Sequence, residues 1–392
     1  MNYNKNDVKV SLYSFCLFVL TFTYALSSIY IFSQNDVVHN INIFVQFLIY
    51  PILLFLITKC KYSLKQIIII LLVGIILTLE FCHNHSTNWL RYLLLFTASK
   101  NTNFTKIVKT LLLAFSSVFL LSLFLYIFGI SNAGIGRREA VSLGFSQPNI
   151  ATMFIVTILF LILALQTELT TQWIFLLFVV AAFVGLILKT QTAVIIFITF
   201  PIVYIWVKTG VKKNRLISKN LMKGSQLIAF TITCILLYVY PKPYYTPFRT
   251  IVDQIFTYRP YLNYNNVMKY GITLFGQNVN ITDTVNYAYN YFGGFISNQR
   301  YNTVDSSYVT QVIGIGIITI IPMFIFYIKM VEKAIVKQRY MIITIAIMCS
   351  WYAFVENNYN EAYYFFPFFY LMSIDNFPSV QYKSLTSKYK KV

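Results

Sequence analysis

Charge is scarce in this chain, and negative charge is the scarcest. Only 11% of the 392 residues are charged, and twelve Asp and Glu stand against 31 Lys and Arg. With 58% hydrophobic residues and a mean hydropathy of +0.65, this excludes a soluble globule, and the chain has to be read as membrane spans. Cysteine is equally sparse. Cys16, Cys60, Cys82, Cys234 and Cys349 fall singly at span ends or inside spans, which argues against a disulfide framework or a zinc site. Histidine is absent after His85. His83 and His85, flanking Asn84, lack the neighbouring carboxylates that would complete a metal site and read as a solvated loop.

What is present is long apolar sequence. Runs able to cross about 30 Å of hydrocarbon lie at 11–32, 43–59, 66–82, 110–130, 150–166, 173–188, 192–207, 226–240, 306–328, 341–355 and 361–374, with a short twelfth at 89–99. The first follows Lys5 and Lys9 and is too long for a signal-peptide core, so it reads as an uncleaved span. The expected fold is an all-α polytopic membrane protein: a single domain over 1–392, about twelve transmembrane helices (eleven without 89–99), both termini cytoplasmic.

Basic residues are sorted by type as well as by side. With the N-terminus inside, all lysines except Lys189, Lys242 and Lys269 fall on the cytoplasmic face, as the positive-inside rule requires. Arg137, Arg138, Arg249, Arg259 and Arg300 fall outside, Arg215 and Arg339 inside, and Arg91 within a span near Glu80. Lysine is a hydrated point charge, whereas guanidinium holds phosphate oxygens through paired hydrogen bonds. Outer arginines therefore point to a bound anion. The inner lysines are scattered over short segments beside spans, which excludes a nucleic-acid surface.

The one large extracytoplasmic loop, 241–305, is too long for a connector and is expected to carry short helices. Pro260 suits a first helical turn, and Tyr264, Val267, Met268, Ile272 and Phe275 recur at helical spacing, predicting an amphipathic interfacial helix with Arg259 at its start. Such a start favours anions, while the alternative role for Arg259 is interfacial anchoring. Ten tyrosines in the loop suit either sugar stacking or an aromatic belt.

Four segments carry a resemblance. Arg137 and Arg138 precede Leu143-Gly144-Phe145-Ser146-Gln147-Pro148-Asn149; Arg259 precedes Leu274-Phe275-Gly276; Val304-Asp305-Ser306-Ser307-Tyr308 leads into a run with Gly314 and Gly316; and an acidic segment runs from Glu356 to Glu361. In this order they resemble the Wzy-type capsular and O-antigen repeat-unit polymerases, a branch of the O-antigen ligase and polymerase superfamily. Gln147 stands where that family usually has histidine. Lys189-Thr190-Gln191-Thr192 stands where it often has Ser-Arg-Thr.

The resemblance implies transfer of a growing glycan from a polyprenyl diphosphate to a new lipid-linked repeat unit, at the outer membrane face and with no metal or cofactor. Arg259 first and Arg138 second would stabilise the departing diphosphate. Asp305 is the nearest carboxylate to the position of the ligases' catalytic histidine, and Glu356, Glu361, His83 and His85 are further base candidates. Arg137, Gln147, Asn149, Lys189, Gln191, Tyr308 and Glu361 are the expected substrate-binding set. The implied partners are the lipid-linked oligosaccharide, the bilayer, and the flippase and chain-length regulator of the same pathway. The rival reading is a flippase of lipid-linked oligosaccharide, which would usually show related halves; no internal repeat is visible. Another rival is a ligase-like glycan transferase. A lipid-linked sugar transferase of another fold would place acids in the first outer loop, where only Asp36 stands.

Overall fold

An apolar chain in lipid has no water to satisfy its backbone, so each run is driven into a self-bonded helix. The computed structural model describes residues 5–33, 35–84, 88–131, 140–240, 259–278, 306–356 and 365–375. Among them every regular element is helical, and the only β pairing is two isolated bridges, Ile29 with Phe145 and Asn103 with Ile374.

Apart from the single helical turn Tyr30–Ser33, the α-helices in order are α1 (Lys5–Leu26), α2 (Asp36–Thr58), α3 (Leu64–Asn84), α4 (Asn88–Ala98), α5 (Phe104–Ile127), α6 (Pro148–Ala164), α7 (Thr171–Phe183), α8 (Gln191–Lys212), α9 (Leu216–Val239), α10 (Arg259–Tyr270), α11 (Ser307–Gly314), α12 (Ile317–Val336), α13 (Tyr340–Val355) and α14 (Phe369–Met372). Seven helical stretches among the described residues are long and apolar enough to cross a membrane: α1, α2, α3, α5, α8, α9, and α7 with the π-helical turn Val184–Leu188 that extends it. α6 and α13 are apolar but shorter. Large apolar side chains face outward, with Phe44 61%, Phe47 74% and Leu71 60% exposed. Such a surface suits lipid, not water.

α13 is the axis of the second half. Thirteen of its 16 residues are buried, as expected for a helix apolar on every side, and it packs against α6, α8, α9, α11 and α12. In the first half α1 packs between α2 and α5. Asn35 and Asn103 start α2 and α5 as N-caps, their side chains accepting from the Val37 and Thr105 N–H groups at 2.9 Å.

Several expectations need correction. The 306–328 run is not one helix but two, α11 and α12, separated by Gly316 in a left-handed conformation (φ 91°). The 361–374 run holds, in its described part, only the 3-10 turn Phe366–Phe368, which Pro367 opens, and the four-residue α14. α4, eleven residues long, covers about 16 Å, half the hydrocarbon thickness. The loop helix α10 ends at Tyr270, because Gly271 turns left-handed (φ 73°), and leaves Ile272 and Phe275 outside it.

The bundle has two unlike ends. At one, Lys9 donates to the Lys100 carbonyl and Cys60 Sγ, both at 2.9 Å. Lys333 donates to the carbonyls of Tyr370, Leu371 and Ser373. Arg339 pairs with Asp375 at 2.9 Å. These bonds staple helix ends and gather the lysine-rich turns at one end. The motif segments lie at the opposite end.

Candidate functional site

The opposite end is built on strained turns. Leu143 (φ 51°) and Gly144 (φ 86°) are both left-handed, and a Cβ on Gly144 would collide with the Ser122 carbonyl. The Leu143 carbonyl accepts from Ser122 Oγ at 2.9 Å. The Gly144 carbonyl accepts from the Tyr30 N–H at 2.9 Å and Ser131 Oγ at 2.8 Å. Phe145 is fully buried against Phe154, with ring centroids 4.6 Å apart. The segment therefore acts as a clamp that fixes where α6 starts. Gln147 is the N-cap residue of α6 by position, without a side-chain cap bond, and Pro148 opens the first turn. Asn149 is exposed there.

The start of α8 lies alongside. Lys189 ends the π-turn in a left-handed conformation (φ 53°, ψ 35°) and is half-buried. Thr190 caps α8 by position, and its Oγ1 lies 2.9 Å from Thr152 Oγ1 of α6. Gln191 is exposed on the first turn. The structure thus brings Gln147 and Asn149 to the same end as Lys189 and Gln191. The Thr152–Thr190 bond that joins the two helices went unnoticed in the sequence; its signal was a hydroxyl one turn inside an apolar run.

Arg259 opens α10, and its Nη1 donates to the Val355 carbonyl at 2.6 Å and to Glu356 Oε1 at 2.7 Å. It sits on the C-terminal end of α13, where helix dipole and carboxylate both favour a cation. The Arg259 and Glu356 side chains are 15% and 14% exposed, so the pair is partly buried yet within reach of solvent. Arg259, Asn263, Thr233 and Val355 line a small cleft between α9, α10 and the end of α13. The other described arginine at this end, Arg91, is buried, donating to Asn88 Oδ1 at 2.8 Å and facing the Tyr24 ring at 5.1 Å.

α10 is docked rather than loose. Val267 and Tyr270, together with Leu237 of α9, pack on Val309 and Ile313 of α11, while Met268 points outward at 67% exposure. The Leu274-Phe275-Gly276 segment then inserts at the glycine break. The Thr273 and Leu274 carbonyls accept from the N–H groups of Ile317 and Ile318, and the Gln277 N–H donates to the Gly314 carbonyl, all at 3.2 Å. A Cβ on Gly276 or Gly316 would strike the facing backbone. Two motifs 40 residues apart in sequence are therefore one interlocked structure. His83 of α3 stacks on Phe275 at 5.8 Å.

Tyr308 is fully buried, its hydroxyl donating to the Ser350 carbonyl at 2.9 Å. It packs where it was expected to bind. Ser307, part of the same motif but given no role there, donates through N–H and Oγ to the Glu356 carbonyl at 3.3 and 2.6 Å. Gln311, which no motif includes, is buried in α11 with both amide atoms unpartnered among the described residues. A polar residue in an apolar run was its only signal. Arg137, Arg138, Asp305, Glu361 and His85 lie outside the described residues. No family model, curated protein or solved structure matches the chain.

Proposed function

We propose that this chain is a Wzy-type polysaccharide polymerase, a glycosyltransferase of GT-C-like membrane architecture. It joins polyprenyl-diphosphate-linked oligosaccharide repeat units at the outer face of a bacterial cytoplasmic membrane, in the synthesis of capsule, exopolysaccharide or O-antigen. In this reading the lysine-rich end and both termini face the cytoplasm, the chain crosses about twelve times, and loop 241–305 is outside. Its partners are the lipid-linked oligosaccharide and the flippase and chain-length regulator of the same pathway.

The observation that carries the reading is Arg259. It is a partly exposed guanidinium at the start of a docked loop helix, on the end of the molecule opposite the lysine-rich turns, beside a cleft. In the reaction the acceptor hydroxyl attacks the anomeric carbon of the donor sugar while the bond to the lipid diphosphate breaks. Negative charge grows on the diphosphate, and Arg259, aided by Arg138, stabilises it. Asp305 takes the hydroxyl proton. Arg137, Lys189, Gln147, Asn149, Gln191 and Glu361 hold the substrates.

The test is Arg259→Ala in cells carrying the pathway. Single repeat units on lipid should accumulate while the protein stays inserted; polymer of normal length would remove Arg259 from the mechanism. The broken α11–α12 pair favours a second reading, because discontinuous helices recur in transporters: a flippase for the same lipid. A flippase forms no glycan when the substrate is supplied in detergent.

A further inference from the structure

Glu356 has no role in the reaction just described, yet it makes an ionic contact at 2.7 Å with its principal residue. We propose that Glu356 is a latch: the resting counter-ion of Arg259, displaced when a lipid diphosphate arrives. This rests on the reading of Arg259 as a diphosphate-binding group.

Three observations support the latch. First, the two side chains meet at 2.7 Å and remain 15% and 14% exposed, so solvent and ligand reach the pair. A contact of this kind exchanges partners, whereas a fully buried pair is held by the cost of leaving either charge alone. Second, Arg259 also donates to the carbonyl of Val355. The guanidinium thus faces the negative end of a helix as well as a carboxylate, and a second anion is repelled until the carboxylate leaves. Third, the Glu356 backbone is fixed by Ser307, which donates to its carbonyl twice. The side chain is therefore free to swing without unseating α10, α11 or α13. A diphosphate offers more charge and more acceptor oxygens than one carboxylate, and guanidinium prefers such paired acceptors. The latch keeps the site neutral when empty and makes Glu356 a positioning residue, not a catalytic one.

The test is calorimetric binding of farnesyl diphosphate and of inorganic pyrophosphate to the full chain in detergent. Glu356→Gln keeps an acceptor for Arg259 but removes the charge. It should bind both probes about tenfold more tightly than the native protein, the size of one lost repulsion at a partly exposed site. Arg259→Ala should abolish the gain. Binding that is equal or weaker in Glu356→Gln overturns the latch alone, and absence of binding to either protein removes the diphosphate reading with it. Tightening for pyrophosphate without binding of farnesyl diphosphate overturns the lipid assignment. If Glu356→Gln does not fold, Glu356→Asp, one methylene shorter, should also bind more tightly than the native protein. Loss of fold in both variants overturns the proposal, because a releasable contact is not required for folding.

Discussion

Two arginine–carboxylate pairs close the two ends of this molecule, and they are built differently. Arg339 and Asp375 meet at 2.9 Å with side chains only 9% and 5% exposed. Arg339 also donates to the Ala164 carbonyl, and Asp375 accepts from the Tyr370 hydroxyl at 2.6 Å. Arg259 and Glu356 meet at 2.7 Å but stay within reach of solvent, and Arg259 lines a cleft. The first pair ties the start of α13 to the segment that follows α14 and is buried. The second joins a loop helix to the bundle and leaves its guanidinium accessible. A guanidinium–carboxylate pair is thus a buried fastening at one end and, in the proposed reading, a partly exposed site at the other.

Breaking the fastening should have the largest effect. Arg339→Ala removes the cation paired with the buried Asp375 and should destabilise the protein by about 3–5 kcal/mol, read as a lower melting temperature in detergent. Arg259→Ala should divide the two properties: a small change in melting, but about a hundredfold loss of polymerisation rate, corresponding to about 3 kcal/mol in the barrier. Equal loss of stability in the two variants would erase the distinction between the ends.

Smaller effects sharpen it. Gly316→Ala puts a Cβ at φ 91° into the Leu274 carbonyl, and left-handed strain with overpacking should cost about 2–4 kcal/mol. Because the break orders the segment after α10, this variant should lower stability and activity together, unlike Arg259→Ala. At the lysine end, Asn103→Ala removes the cap of α5 and should cost about 1 kcal/mol with activity unchanged. Thermal melts beside a polymerisation assay check both.

Much of the fold was legible because hydropathy and helix formation are the same requirement in lipid. The run at 192–207 became α8, and Arg259 does open the loop helix. Hydropathy does not register a backbone break inside an apolar run, so the sequence reads through Gly316 as one span although its φ of 91° divides it. Nor does it mark where a helix enters from water: α9 begins at Leu216, well before its apolar run, because Lys219 and Lys223 are good helix formers. The site was legible in its residue types but not in their orientation. Tyr308 looks polar in sequence, yet α11 turns it into the core. Glu356 was visible as an acid, and only the docking of α10 on α9 and α11, which brings Arg259 to the end of α13, shows which residue it meets.

The central claim is that Arg259 serves glycosyl transfer from a lipid diphosphate. Its most direct test gives purified protein in detergent lipid-linked repeat units, with no membrane to cross. The account predicts glycans of two or more repeat units with release of polyprenyl diphosphate, and no such product from Arg259→Ala. Repeat units left unjoined by an intact, folded protein that binds them, or joined equally well by the variant, would contradict it.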